Sequence, residues 1–238
     1  MSASAFEMAA AEAVVAPKAA CAPVQPVVVF DFDGVLLHGD AFHLFLRRRY
    51  MRAPWRALLV LACLPVLLVQ LPVSRLAAGR LLSRIALLGV RERRFQLLTD
   101  AFAAQLVRRS HRCCRDGLRA LRRHQARGER VLVVTGCESR LAQAIFRELG
   151  MADVEVLGSQ WRDGRSGMRL TWHNVGTRKV QLLAQHGLST WQIAYSDSLH
   201  DAPMLQNAGE PVLVNGTPAR CKKLEKILGQ PVRRVAWH

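Results

Sequence analysis

Several features that would place this sequence in a familiar class are missing from it. No two of its six cysteines have the spacing of metal ligands, and adjacent Cys113 and Cys114 do not suggest a disulfide framework. Reduced thiols in a cytosolic compartment are therefore expected. The first basic residue is Lys18, so no basic region precedes an apolar stretch as it does in a signal peptide. The absence of an internal repeat argues against a repeat architecture.

Acidic residues are also few, because 34 Lys and Arg outnumber 18 Asp and Glu and give a formal net charge of +16. This excess favours a polyanionic partner: nucleic acid, an anionic membrane surface or a phosphorylated substrate. The basic residues neither alternate with aromatic residues along a strand nor form a recognition-helix pattern. Nucleic acid is therefore not expected as a partner, and a basic binding module without enzymatic activity is the weaker alternative to an enzyme.

Composition divides the 238 residues into three parts. Residues 1–26 are rich in Ala and Pro, which predicts a disordered N-terminal extension. Residues 27–39 and 126–238 contain the strand patterns and predict a core domain, the candidate catalytic domain. Residues 40–125 have helical patterns with few turn signals, and they predict a helical cap inserted into that core.

Short apolar, β-branched runs predict five buried strands, and helical patterns lie between the later ones. The predicted strands are 27–30, 131–134, 154–157, 192–195 and 212–214, and the helices are 140–149, 179–185 and 203–207. A β-hairpin or flap is predicted within 158–173. Alternation of this kind predicts an α/β fold: a Rossmann-like three-layer α/β/α sandwich with a parallel sheet and a helical cap inserted after the first strand.

Polar residues follow the predicted strands at the points where each strand ends. They are Asp31, Asp33, Thr135, Asp197 and Asp201. In a parallel sheet, ligands bind at the carboxyl ends of the strands. These side chains are therefore expected to converge, although the sequence spreads them widely.

The residue types in this set suit phosphoryl transfer, which depends on positioning and charge stabilisation. A carboxylate such as Asp31 can act as the nucleophile and form an aspartyl-phosphate. Asp33 lies two residues further on and can hold a proton for the leaving group. Mg²⁺ prefers oxygen ligands and accepts one or two carboxylates together with a substrate phosphate, so Asp31 and Asp197 are candidate metal ligands.

Other residues in the set could bind the phosphate itself. Thr135 offers a hydroxyl, Gly34 and Gly136 allow backbone N–H groups to approach, and Lys179 adds a positive charge. Each motif alone has a structural explanation, because an Asp-x-Asp-Gly sequence is often a turn and Asp197 to Asp201 could cap a helix. Their order, each near the end of a predicted strand, favours an enzyme.

The ordered motifs resemble those of the haloacid dehalogenase-like phosphatase superfamily. The matching residues are Asp31-Phe-Asp-Gly-Val35, Thr135, Lys179, and Asp197 with Asp201. Two residues depart from the common family pattern: Val35 stands where Thr is commoner, and Ser196 precedes the metal aspartate where Gly is frequent. Neither departure removes a functional group that the mechanism needs.

The resemblance implies that Asp31 is the nucleophile and Asp33 the acid/base. It also implies Mg²⁺ held by Asp31, the Asp33 main-chain carbonyl and Asp197. Asp201 would be the outer acidic residue of the metal site, acting through water or by orienting Lys179.

The long helical insertion after the first motif resembles the phosphoserine-phosphatase-like branch of this superfamily. Secondary motifs resemble the phosphatidylglycerophosphatase C family of bacteria; they include residues 40–46, 57–61, 159–160, 170–171 and 195–198. This resemblance implies that phosphatidylglycerophosphate is dephosphorylated to phosphatidylglycerol. The alternative is a soluble phosphatase of a small phosphorylated metabolite such as phosphoserine.

The apolar segment 57–73 bears on this choice. Residues 57–69 contain no charged side chain, but the run is shorter than the roughly 20 residues of a membrane span. Both ends of the insertion join one sheet, so the segment should dip into the membrane and return near Pro65, or lie at its interface. Flanking arginines would meet anionic headgroups at the cytoplasmic face of the bacterial inner membrane. The alternatives are a buried cap helix and a soluble cytoplasmic protein.

Overall fold

A seven-stranded sheet forms the centre of the structure, a computed structural model that describes residues 25–238. The strand order is β4-β3-β2-β1-β5-β6-β7, and every pairing is parallel except the antiparallel β3–β4 hairpin. The predicted extension, residues 1–26, lies outside the described residues except for its last two positions.

The strands and helices alternate through most of the core. The strands are β1 Val27–Phe30, β2 Arg130–Glu138, β3 Glu155–Gly164, β4 Gly167–Trp172, β5 Trp191–Ser196, β6 Ala208–Val214 and β7 Arg233–Val235. The helices are α1 Ala41–Arg52, α2 Trp55–Ala62, α3 Leu64–Val73, α4 Arg75–Ala86, α5 Glu92–Val107, α6 Arg115–Ala126, α7 Ser139–Glu148, α8 Thr177–Gln185, α9 Ala202–Gln206 and α10 Pro218–Leu228.

The predicted α/β fold class is confirmed. β1 lies in the middle of the sheet, and Val28, Val29 and Phe30 are fully buried because apolar side chains cover both faces. Val28 and Phe30 pack in one hydrophobic cluster, whereas Val29 packs in the other. The predicted hairpin is present as β3 and β4. The edge strand β7 was not predicted, because Arg233 and Arg234 break the apolar pattern.

The insertion contains α1 to α5. α2 ends at Ala62 and α3 begins at Leu64, so the helical segment is interrupted at Cys63. This interruption lies two residues before Pro65, near which a break was expected. Most apolar side chains of these two helices are exposed, and Leu67 is an exception. None of the helices in residues 25–238 combines the length and apolar character needed to cross a membrane.

Two details of the insertion differ from the simplest expectation. Arg49 and Arg56, two of the arginines that precede the apolar segment, are buried. α6 lies at the end of the predicted cap range but packs against β2, with Leu118 and Leu121 in the core cluster. We therefore propose that α6 belongs with the core, and that the cap comprises the helices before it.

Candidate active site

The carboxyl ends of three adjacent strands bring the predicted residues together. β1 lies between β2 and β5, and the Asp31 N–H donates to the Tyr195 carbonyl oxygen at 2.8 Å, which extends the strand pairing by one residue. Thr135 lies near the end of β2, and Asp197 directly follows β5. From β1 the chain passes to β2 and β3 on one side of the sheet, and from β5 it passes to β6 and β7 on the other side. The boundary between β1 and β5 is therefore a topological switch point, where such folds bind ligands.

Lys179 links two of the carboxylates. Its Nζ lies 2.8 Å from Asp31 Oδ1 and 2.8 Å from Asp201 Oδ2, and all three side chains are buried. The α8 backbone positions this ammonium group, and Gly176 precedes the helix with a φ of 60°. One cation thus neutralises part of the charge of two buried acids, which would otherwise repel each other.

The pKa values within this cluster shift for identifiable reasons. Burial and the neighbouring Asp201 raise the pKa of Asp31 well above its ordinary value, although Lys179 opposes them. Burial alone would raise the pKa of Asp201, but Lys179 and the Ser196 hydroxyl outweigh it and lower that pKa. Burial would lower the pKa of Lys179, but the carboxylates of Asp31 and Asp201 raise it. The ammonium group is therefore fixed in its charged form.

Asp33 is held by the first helix of the insertion. Its Oδ1 accepts a hydrogen bond from the Ala41 N–H at 2.8 Å, at the start of α1. Burial raises the pKa of Asp33 to about 7, and the charges of Asp40 and Asp197 add to this effect. Asp33 can therefore gain or lose a proton near neutral pH, as an acid/base group must.

Gly34 allows Asp197 to approach the first motif. Its φ is +81°, and a Cβ atom at this position would lie 2.1 Å from Asp197 Oδ2. Only glycine both adopts this φ easily and leaves room for the carboxylate. The backbone after Asp33 therefore lies directly against the Asp197 carboxylate. Burial and Asp201 raise the pKa of Asp197.

The donors at this point fit Mg²⁺. Asp31 and Asp197 would supply carboxylate oxygens and Asp33 a main-chain carbonyl, all hard ligands, and Mg²⁺ normally keeps several waters. Within residues 25–238 no group of three or more Asp, Glu, His or Cys side chains is arranged to hold a metal ion. The proposed ligands include only two carboxylates, from Asp31 and Asp197, and one main-chain carbonyl, so they would not form such a group. Asp201 contacts Lys179.

The phosphate-binding candidates Thr135 and Gly136 are positioned by Asn174, which the sequence analysis did not identify, and by Ser159, which it noted only as part of a secondary motif. Asn174 is fully buried, and its Nδ2 donates to the carbonyl oxygens of Thr135 at 3.2 Å and Leu157 at 2.9 Å. The Ser159 hydroxyl donates to the Gly136 carbonyl oxygen at 2.7 Å and accepts from the Asn174 N–H at 3.0 Å. The only signal in the sequence was an Asn shortly before the predicted helix that contains Lys179.

Ser196, which stands where Gly is frequent in the family pattern, has a defined role in the site. Its hydroxyl donates to Asp201 Oδ2 at 2.8 Å and accepts from the Ser198 N–H at 3.1 Å. Ser196 therefore helps Lys179 to fix Asp201. Asp40 accepts a hydrogen bond from the His43 N–H at 2.7 Å and caps α1.

A cleft of about 180 Å³ extends from this site towards α4. Its lining includes Gly136, Ser159, Phe42 and Leu76, and Arg80 adds a positive charge. No carboxylate among the described residues lines this cleft. Its walls suit a partly apolar or anionic group rather than an ammonium group.

A model of the haloacid dehalogenase-like hydrolase family matches residues 28–206, which include every predicted site residue. A histidinol-phosphatase of Neisseria meningitidis serogroup C is 30% identical over 122 residues, covering 46% of this chain and 53% of the relative. The chain thus spans about half the length of this curated relative.

Two solved structures share the fold over nearly the whole chain. A protein of unknown function from Bordetella pertussis Tohama I has a TM-score of 0.64 at 20% identity, covering 88% of this chain and 98% of that one. A phosphoserine phosphohydrolase-like protein from Francisella tularensis has a TM-score of 0.58 at 13% identity, covering 89% and 95%. At these identities the likeness concerns the fold alone.

Proposed function

The chain belongs to the haloacid dehalogenase-like hydrolase family, and from this premise we propose that it is a phosphatase of phosphomonoesters with Asp31 as the nucleophile. The observation that carries the proposal is the buried contact of Asp31 with Lys179, at 2.8 Å, beside the pair Asp33 and Asp197. If Asp31 and Lys179 formed only a structural ion pair, there would be no need for a glycine at position 34 that makes room for the Asp197 carboxylate.

The first step transfers the phosphoryl group to Asp31. Asp31 Oδ1 accepts from the Phe32 N–H at 2.8 Å and faces Lys179, which leaves Oδ2 to attack phosphorus. The new P–O bond forms as the ester P–O bond breaks, and Asp33 protonates the departing alkoxide oxygen. In the second step Asp33 takes a proton from water, which attacks phosphorus and releases phosphate and the Asp31 carboxylate.

The remaining predicted residues bind the transferring group. The Thr135 hydroxyl, the Gly136 N–H and the Lys179 ammonium group would surround the phosphate oxygens. The Gly34 N–H, predicted above as a possible phosphate donor, instead donates to the Leu37 carbonyl oxygen at 2.7 Å. Mg²⁺ bound by Asp31, the Asp33 carbonyl and Asp197, with Asp201 as the outer acidic residue, would supply the positive charge that screens carboxylate–phosphate repulsion.

We propose phosphatidylglycerophosphate as the substrate, giving phosphatidylglycerol. The exposed apolar side chains of α2 and α3, among them Leu58, Leu68 and Val69, support this proposal because they form an unusually apolar surface for a water-exposed helix pair. α4 follows directly and lines the cleft with Leu76 and Arg80, where a second phosphate of the substrate would meet a cation. The enzyme would then act at an anionic membrane, on the cytoplasmic face of the bacterial inner membrane.

The second candidate is a phosphatase of a small soluble metabolite such as phosphoserine, acting in the cytoplasm. The similarity to a histidinol-phosphatase favours this candidate. The cleft beside Gly136 argues against an ammonium-bearing leaving group, since its lining offers no counter-charge among the described residues.

Turnover of phosphatidylglycerophosphate in mixed micelles, compared with turnover of phosphoserine, separates the two candidates. We expect Mg²⁺-dependent release of phosphate from the lipid, with kcat/KM at least about tenfold higher than for phosphoserine. Arg80→Gln should raise KM for the lipid, whereas Arg108→Gln, an exposed control on the same insertion, should not. A clear preference for phosphoserine would overturn the lipid substrate but not the phosphatase.

A further inference from the structure

A second basic pocket lies outside the residues of the candidate active site. It has a volume of about 460 Å³ and opens between α1, the start of α2 and the turn after α4. Its charged lining consists of Arg49, Arg52, Arg56 and Arg94, and Trp55 completes one wall. None of the catalytic, phosphate-binding or metal-binding candidates belongs to it.

Two of these arginines are buried without a counter-charge. Arg49 and Arg56 are each 7% exposed, and the Nε atom of each has no hydrogen-bond partner within residues 25–238. Arg56 Nη2 donates to the Leu88 carbonyl oxygen at 3.0 Å, and its guanidinium group lies 4.4 Å from the Trp55 ring centre. None of the four arginines forms an ion pair with a described carboxylate.

This arrangement is costly unless an anion joins it. Burial of a charge without a partner is unfavourable in general, and like charges nearby add repulsion. Here burial, together with Arg56, Arg94 and Arg52, lowers the pKa of Arg49 to about 10. A phosphate group would offset the repulsion, because a guanidinium fork matches phosphate oxygens in charge and geometry.

We propose that Arg49, Arg52, Arg56 and Arg94 form a binding site for the phosphate group of a ligand, separate from the catalytic site. The chemistry is shared by an anionic phospholipid headgroup and a free phosphate. Trp55 is about half exposed at the pocket rim, and the exposed side chain of Leu58 follows on α2. The pocket therefore lies beside the apolar surface of the insertion, where a headgroup would be found.

The test uses the full chain and two matched variants. Arg94→Gln removes an exposed pocket arginine, and Arg93→Gln removes its exposed neighbour, which does not line the pocket. Both variants lose the same charge, and circular dichroism checks that both fold. One arm measures sedimentation with phosphatidylcholine vesicles that contain or lack phosphatidylglycerol, and the other measures the rise in Tm with inorganic phosphate.

We expect Arg94→Gln to weaken binding to phosphatidylglycerol vesicles about tenfold, as loss of one charge-assisted contact implies, and Arg93→Gln to change it less than twofold. A selective effect of Arg94→Gln on the phosphate-induced Tm rise, with vesicle binding unchanged, would support the site and assign it to free phosphate. Equal effects of the two variants in both arms would show general electrostatic attraction and overturn the site.

Discussion

Gly34 and Asp197 approach so closely that a side chain at Gly34 would occupy the position of the carboxylate. The 2.1 Å separation between a Cβ atom and Asp197 Oδ2 is far below any real contact, and the positive φ adds strain for any other residue. The proposed metal site therefore depends on glycine at position 34, which has no side chain to displace the Asp197 carboxylate.

Gly34→Ala should displace Asp197 and weaken Mg²⁺ binding. Gly128→Ala is the matched control, since Gly128 has a similar φ of +75° and nothing lies within 4 Å of its Cβ position. Both variants should lose about 1 kcal/mol of stability from backbone strain, but only Gly34→Ala should raise the Mg²⁺ concentration for half-maximal activity, by about tenfold or more. The same Mg²⁺ dependence in both variants would contradict the proposed metal site.

Lys179 carries the charge balance of the site. Its ammonium group lies between two buried acids, and removal of one partner from such a group leaves charge uncompensated. We expect Lys179→Met to lower the free energy of unfolding by about 3–5 kcal/mol at neutral pH and to abolish turnover, measured by urea denaturation and phosphate release.

Lys222→Met provides the control, because Lys222 is exposed on α10 and should change stability by less than about 0.5 kcal/mol. If Lys179→Met denatured at the same urea concentration as Lys222→Met, the proposed coupling of the three charges would be wrong.

At the scale of elements, α7 begins with an unusual cap. Glu138 is buried at the end of β2, and its carboxylate accepts a hydrogen bond from the Leu141 N–H at 2.8 Å. Burial raises the pKa of Glu138 from 4.5 to about 7. The folded chain thus holds this proton more tightly than the unfolded chain, so the contribution of Glu138 to stability is full below pH 4.5 and is lost as the pH rises through 7.

Glu138→Gln keeps a hydrogen-bond acceptor but does not titrate. Between pH 5 and pH 8, the stability of the variant relative to the native protein should rise by ~2 kcal/mol, measured by urea denaturation at both pH values. An unchanged difference between the two proteins across this pH range would show that Glu138 titrates normally.

Helices α2 and α3 are the elements on which the proposed lipid substrate depends. Leu68 on α3 is 60% exposed, and Leu97 on α5 is 64% exposed, so the two leucines form a matched pair. Leu68→Asp should weaken sedimentation with phosphatidylglycerol vesicles by about tenfold, because a Leu side chain loses roughly 1.5–3 kcal/mol of apolar burial. Leu97→Asp should leave sedimentation unchanged, and equal losses would place the membrane contact elsewhere.

Across the whole molecule, the core fold and the candidate site were predictable because they follow local rules. Residues 27–30 and 131–134 are apolar runs of strand length, and polar residues follow each of them. The order of the strands then required Asp31, Thr135 and Asp197 to meet at one edge of the sheet, and the structure places them there.

The rest depended on tertiary contacts that no local pattern encodes. The hydrogen bond from Ala41 to Asp33 joins the insertion to the acid/base candidate, and Asn174 supports Thr135 from a distant segment. No local pattern shows that Arg49 and Arg56 are buried, or that Arg56 donates to the Leu88 carbonyl oxygen in the turn after α4. β7 was missed for a local reason, since a short edge strand can consist mostly of charged residues.

Acid-quenching of the enzyme during turnover, followed by mapping of phosphorylated peptides by mass spectrometry, would show whether Asp31 accepts the phosphoryl group. We predict a phosphoryl group on Asp31 in the native protein and none in Asp31→Asn, which should also lose turnover by at least about a thousandfold. A phosphoryl group on another residue, or turnover by Asp31→Asn at the native rate, would contradict the mechanism.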